Sequence, residues 1–291
     1  MFDDEVRLHE ALNIPQPEKS REESNFLITN DSIGVEVELE RCHSMKVPTK
    51  SPWKMKEDGS LRDVGREFIF KTPLNGEEAV EALAQLEKSA QAAAKDGVAP
   101  SASVRSSVHV HVDCTDMTTD QLIRFILLYM IFEIPIFKTF ALDRYGNHFC
   151  FPFRDCLDLL DAPRSLRNGW DNFRRTIDSP NIGRYCAFNI KSLFKFGTIE
   201  FRHHRGSWDQ KELLQWINTC LAFKRAARVN MDIRGAYFEQ SFRGFEAQLR
   251  EVFPRDIAEK VLSYYDYNLD DFNRDVVRGV LLAQHAVAPK G

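Results

Sequence analysis

The side chains in this sequence best suited to chemistry sit on short stretches in which apolar and polar residues alternate. In Ile33-Gly34-Val35-Glu36-Val37-Glu38-Leu39-Glu40, an extended backbone turns Ile33, Val35, Val37 and Leu39 to one side. Glu36, Glu38 and Glu40 then share the other side with the small Gly34. Carboxylates in such a row repel one another unless water or a cation lies between them, so the face is either solvated or a cation site. Val108-His109-Val110-His111-Val112-Asp113 repeats the pattern, with valines on one face and His109, His111 and Asp113 on the other. In Thr198-Ile199-Glu200-Phe201-Arg202, Glu200 and Arg202 oppose Ile199 and Phe201. In Gly65-Arg66-Glu67-Phe68-Ile69-Phe70, Glu67 opposes Phe68 and Phe70. Four strands that offer Glu, His and Arg in this way hold the materials for gripping divalent cations against phosphate.

The stretches between them supply a scaffold. Residues 77–95 carry an apolar stripe of Val80, Leu83, Leu86 and Ala90, with Asn75 placed to cap a helix and Gly97 to stop it. Thr118 and Gln121 have capping-box spacing ahead of a very apolar helix that runs to Glu133. Asp209 is placed to cap a long helix with Leu213, Trp216, Ile217, Cys220 and Phe223 at helical spacing, which makes Trp216 a core residue. Residues 41–57, with Lys46, Lys50, Lys54, Lys56, Pro48 and Pro52, read as a mobile loop. Asp58-Gly59-Ser60 reads as a turn whose glycine can take a positive φ. Residues 184–189 read as a further strand, leading through a turn at Lys195 and Gly197 into Thr198. The expected organisation is a flexible leader at 1–25, a catalytic domain at 26–230 and a helical extension at 231–291.

Composition narrows the class. A chain of 291 residues can bury a full core, and a net charge of −4 with both signs interspersed calls for neither nucleic acid nor an anionic membrane as the main partner. Six cysteines without a C-x-x-C pair, and no apolar signal segment in the first residues, point to reduced thiols in a cytoplasmic protein. The longest apolar run, 122–137, is interrupted by Arg124, Glu133 and Pro135 and reads as a buried helix.

Taken in order, these motifs resemble the amidoligase family of the glutamine synthetase-like carboxylate-amine ligases. The matching pieces are Gly34-Val35-Glu36-Val37-Glu38, Trp53 with Asp58-Gly59-Ser60-Leu61, Gly65-Arg66-Glu67 and His109-Val110-His111-Val112. Arg144-Tyr145-Gly146-Asn147, Arg184-Tyr185 with Asn189, and Thr198-Ile199-Glu200-Phe201-Arg202 complete the series. The resemblance implies an α+β fold: a curved antiparallel sheet forming a half-barrel, helices on its convex face and a helical C-terminal tail. It implies a site on the concave face, with Glu36, Glu38, Glu67, His109 and Glu200 as metal ligands. His111, Arg184 and Arg144 would meet the nucleotide, and Glu67, Arg202 and Arg184 would act in catalysis. The implied cofactors are ATP and Mg2+ or Mn2+, and the implied partners a small-molecule or peptide carboxylate and an amine donor. The sequence departs from the family at Phe70-Lys71-Thr72, and His203-His204 has no transferable role.

Two other readings of the same residues remain open. His-x-His with nearby glutamates also suits a metal-dependent hydrolase, and a relative that binds nucleotide without turnover would keep the same acids. A P-loop or dinucleotide site is disfavoured, because no glycine-rich loop with the required lysine precedes a helix.

Overall fold

Strand β1 (Ile33–Leu39) lies inside the sheet because its two faces have different uses: Ile33, Val35, Val37 and Leu39 are buried, while the glutamates face the opposite way. The computed structural model describes residues 6–20, 22–147, 150–178, 185–229 and 242–288. The other strands are β2 (Trp53–Glu57), β3 (Arg66–Phe70), β4 (Ser107–Asp113), β5 (Phe188–Asn189) and β6 (Thr198–Arg205). They form an open, antiparallel six-stranded sheet in the order β2-β3-β1-β4-β6-β5, and with its helices this makes the chain an α+β protein.

The helices are α1 (Leu8–Leu12), α2 (Gly76–Lys95), α3 (Thr119–Phe140), α4 (Leu157–Leu160), α5 (Ala162–Arg167), α6 (Trp170–Ile177) and α7 (Ser192–Phe196). They continue with α8 (Gln210–Arg228), α9 (Phe242–Val252), α10 (Arg255–Tyr264) and α11 (Leu269–Val287). The chain divides into two compact units that interleave in sequence. One comprises Pro17–Asp113 and Glu200–Leu221; the other comprises Met1–Gln16, Cys114–Ile199 and Ala222–Gly291.

The first unit holds β1 to β4, α2, most of β6 and the first half of α8. Residues 53–57, expected to be loop, form an edge strand. Lys56 pairs with Glu67 and Trp53 with Phe70, and the Trp53 ring lies 4.4 Å from that of Phe70. The indole N–H also donates to the Ala82 carbonyl at 2.7 Å, so one buried side chain ties β2 to α2. The turn after β2 does not use Gly59 at positive φ. The Asp58 carboxylate instead accepts the Ser60 amide at 2.7 Å, and Asp63 and Val64 take the left-handed conformations. Helix α2 ends where Gly97 adopts φ +106. Asn75 occupies its N-cap position without bonding the helix, because its side chain is committed to Ser20 and Asn30.

In the second unit, Thr118 and Gln121 form the capping box at the start of α3. The helix does not stop at Glu133. It continues to Phe140 with Pro135 inside it, because Ile134, Ile136, Phe137 and Phe140 remain buried and outweigh the lost backbone bond. Gly279 of α11 meets that turn: a Cβ there would come within 2.5 Å of the Ile131 carbonyl oxygen, the group that Pro135 leaves without its helical donor. The expected strand at 184–189 is shorter, a bridge at Cys186 and the two-residue β5, and the turn before Thr198 contains the short helix α7. Among the described residues no helix is long and apolar enough to cross a membrane.

Candidate active site

The polar face of the sheet in the first unit carries its reactive groups in rows. Across β1 and β4, Gly34 stands opposite His111 and Glu36 opposite His109. Across β1 and β3, Glu38 stands opposite Glu67, and Lys56 of β2 continues that row. Glu200 and Arg202 join from β6. Glycine at position 34 is what makes room for the imidazole, since a Cβ there would stand 3.2 Å from the His111 Cβ.

Around His109 the hydrogen-bond directions are fixed by elimination. The Glu38 carboxylate accepts twice from Ser107, from its amide at 3.0 Å and from its hydroxyl at 2.5 Å. That hydroxyl has spent its only proton, so its contact with His109 Nε2 at 2.8 Å requires the imidazole to donate. His109 Nδ1 then faces carboxylate oxygens, Glu36 Oε2 at 3.0 Å and Glu200 Oε1 at 3.5 Å. In the neutral imidazole this nitrogen is itself an acceptor, so a proton or a metal ion must stand between acceptors that face one another.

Two groups of ligand atoms gather beside it. Glu36, His111 and Glu200 each offer one atom, all within 4.8 Å of one another, and Glu38, Asp58 and Glu67 do the same. His111 Nε2 lies 3.9 Å from both Glu36 and Glu200. Burial holds the His111 ring below its ordinary pKa, against the pull of Glu200 and Glu36, which favours the neutral imidazole. Burial alone would raise the Glu36 carboxyl, but the hydrogen bond from His109 and the neighbouring His109 and His111 rings bring it down to about 2. Burial raises the Glu67 carboxyl, helped by the charges of Glu36 and Glu38 and opposed by Lys56, whose ammonium sits 2.6 Å from Glu67 Oε2. Arg202 donates to Glu200 Oε1 at 2.5 Å. Carboxylate oxygens and a neutral imidazole in two adjacent sets are a donor set for two hard divalent cations.

The residues singled out in the sequence are therefore placed as follows. Glu36, Glu38, Glu67, His109, His111, Glu200 and Arg202 share the first unit and one sheet face. Arg144 belongs to the second unit, buried in the 3-10 turn Leu142–Arg144. Arg184 lies outside the described residues. Asp58 and Ser107 were not among the site residues read from sequence. Asp58 was legible only as a turn former, and its return beside Glu67 depends on the β2–β3 pairing. The buried doublet His203-His204 packs against Trp216, with each ring 5.3 Å from the indole. His204 Nδ1 donates to the Arg205 carbonyl at 2.8 Å, and its Nε2 lies 3.7 Å from Glu212, a structural setting.

An open antiparallel sheet with helices, presenting carboxylates and imidazoles on one face, is not the frame of a P-loop nucleotide binder. The chain belongs to the amidoligase family: the family model described as "Putative amidoligase enzyme" matches residues 30–224, about two thirds of its length. The family places it among enzymes of ligase type. No curated protein matches the sequence.

Proposed function

We propose that the protein is an ATP-dependent carboxylate-amine ligase with a glutamine synthetase-like sheet, working on a small-molecule or peptide carboxylate and an amine donor. The observation that carries this reading is the pairing of two ligand sets, Glu36/His111/Glu200 and Glu38/Asp58/Glu67, on one sheet face with His109 beside them. The donors fit Mg2+ or Mn2+, and His109 Nδ1, 3.0 Å from Glu36 Oε2 and 3.5 Å from Glu200 Oε1, adds an imidazole nitrogen to the carboxylate oxygens of the first set.

A carboxylate is a poor electrophile, so forming an amide in water requires activation. In the proposed reaction a carboxylate oxygen attacks the γ-phosphorus of ATP and ADP leaves. The amine nitrogen then attacks the acyl carbon of the resulting acyl phosphate, and inorganic phosphate leaves. Bound divalent cations would offset the repulsion between the phosphates and the incoming carboxylate. Arg202 offers a planar fork to a carboxylate or to the transferring phosphoryl group, as Arg184 does from sequence. Glu67, at the end of the acid row, is assigned the proton released by the amine, and Ser107 and Glu38 hold the His109 ring in the orientation that points Nδ1 at Glu36.

A thermal-shift series tests the reading. Stabilisation by ATP only in the presence of Mg2+ or Mn2+ supports the ligase, whereas stabilisation by Zn2+ alone, with no response to ATP, supports the hydrolase. Incubation with ATP, metal and pools of amino acids or peptides, read by mass for two reactants joined with loss of water, identifies the substrates.

A further inference from the structure

The sheet ends at β2, and the hydrogen-bonding groups left over on that edge can be read from its register. Pro52 and Lys71 face one another one position before the Trp53–Phe70 pair, and the Lys71 amide donates to the Pro52 carbonyl at 2.8 Å. Residues of an antiparallel strand alternate between bonding one neighbouring strand and bonding the other side. Counting from Pro52, Lys54 and Lys56 bond β3, while Trp53, Met55 and Glu57 turn their backbone N–H and C=O to the open side. The Trp53 amide is taken by the Ser51 hydroxyl at 3.3 Å. Among the described residues nothing takes the backbone groups of Met55 or Glu57, and four of the five residues of β2 are exposed.

Proteins usually blunt such an edge with proline, a bulge or charge. Strand β2 contains no proline and pairs with β3 without a bulge from Trp53 to Glu57. Its lysines lie on the sheet face that carries the ligand sets. Lys56 stands in the row of Glu67 and Glu38, and Lys54 in the row of Ile69 and Glu36. Lys56 binds Glu67 at 2.6 Å, whereas Lys54 makes no ion pair among the described residues. Both lysines fall at the non-hydrogen-bonded positions of any ladder built on Met55 and Glu57, where facing Cα atoms are about 4.5 Å apart and side chains meet most closely. That spacing selects the occupant by charge. A second copy of β2 laid antiparallel and centred on Met55 would set Lys54 against Lys56 twice, and like charges directly opposite repel. An acidic strand meets both lysines with the opposite sign.

We propose that an extended acidic peptide adds to β2 as a seventh strand and is the carboxylate substrate. Its backbone bonds Met55 and Glu57, and its acidic side chains face Lys54 and Lys56. A glutamate opposite Lys56 extends the row of Lys56, Glu67 and Glu38, and so stands at the border of the Glu38/Asp58/Glu67 set. A cation that takes the Glu67 oxygen releases the Lys56 ammonium, which then holds the incoming carboxylate. Metal and peptide therefore bind cooperatively. The substrate role rests on the ligase reading; the strand addition does not.

The test is fluorescence polarisation of a blocked, fluorescein-labelled peptide of alternating glutamate and threonine, titrated with the full-length protein in Mn2+ and in chelator. Saturable binding is expected, tighter with Mn2+. With glutamates facing the lysines, the threonine amides are the ones that bond β2. Methylating the threonine amide nitrogens should therefore weaken binding at least about 10-fold, while methylating the glutamate amides leaves it in place. Lys54→Glu should weaken it by a similar factor, as should Met55→Pro, which removes an outward N–H and no bond to β3. The methylated peptides read the unaltered protein, so the test stands even where the proline variant does not fold. No saturable binding, or equal binding of the two methylated peptides, would overturn the strand addition. The substrate role is read with ATP, Mn2+ and hydroxylamine. A peptide carboxylate oxygen takes the γ-phosphoryl group, ADP leaves, and the hydroxylamine nitrogen displaces phosphate to give a peptide hydroxamate detected by mass. A peptide that binds together with ATP and Mn2+ and yet stays unmodified would overturn the substrate role. Peptide binding by a protein that binds no ATP would strike down the ligase reading, and the substrate role with it, while the strand addition holds.

Discussion

Ser107 contributes no ligand atom to either acid set, yet it decides which nitrogen of His109 faces Glu36 and Glu200. Groups that orient ligands in this way typically change metal affinity by about 10- to 100-fold when removed. Ser107→Ala should therefore weaken Mn2+ binding by roughly that range in a calorimetric titration while the far-ultraviolet dichroism stays unchanged, and unchanged Mn2+ affinity would remove Ser107 from the site. Lys56 acts in the opposite sense. Its ammonium neutralises Glu67 in the metal-free protein and must leave that oxygen before a cation can use it. Because half of the lysine side chain is exposed, the ion pair is worth about 1 kcal/mol or less, so Lys56→Met should tighten Mn2+ binding by about 3- to 5-fold. A weaker Mn2+ affinity in that variant would show that Lys56 assists the cation rather than competing with it.

At the scale of elements, β1 is the strand on which the site depends, because it supplies one member of every row and pairs on both sides. Gly34→Ala tests that geometry. The added methyl meets the His111 Cβ at 3.2 Å, so the imidazole must shift by a few tenths of an ångström relative to Glu36 and Glu200. Cation affinity is expected to fall several-fold with little change in melting temperature, and equal affinity with a lower melting temperature would mean that the close contact serves packing alone. The alternation of β1, β4 and β6 was readable from the sequence because a half-buried strand must separate apolar from polar residues. Strand β2 was not, since four of its five residues are exposed and only Trp53 is buried against Phe70 and α2. The continuation of α3 through Pro135 was hidden for a related reason. A local breaker was overridden by burial along the rest of the helix, which only the packed protein makes visible. Asp58 escaped notice as a site residue because its place beside Glu38 and Glu67 follows from strand pairing and not from spacing along the chain.

At the scale of the whole molecule, concentrating acids on one face links folding to pH. The Glu36 carboxyl sits at about 2 in the folded chain against 4.5 unperturbed, because His109 and His111 outweigh its burial. A depressed carboxylate stabilises the fold above its unfolded value, so this contribution is present above about pH 4.5 and is lost as the pH falls toward 2. Glu36→Gln should flatten that part of the acid-unfolding curve, measured by tryptophan fluorescence between these limits, and an unaltered curve would assign acid sensitivity to other groups. The central claim, that separate strands converge to hold cations which in turn hold a nucleotide, is tested most directly by calorimetric titration of ATP into the protein with Mn2+ and with a chelator. ATP is expected to bind with Mn2+ present, to bind at least about 10-fold more weakly in chelator, and to lose the Mn2+-dependent gain in Glu38→Gln and Glu200→Gln. Equal ATP binding with and without the metal, or full metal dependence retained in both variants, would contradict it.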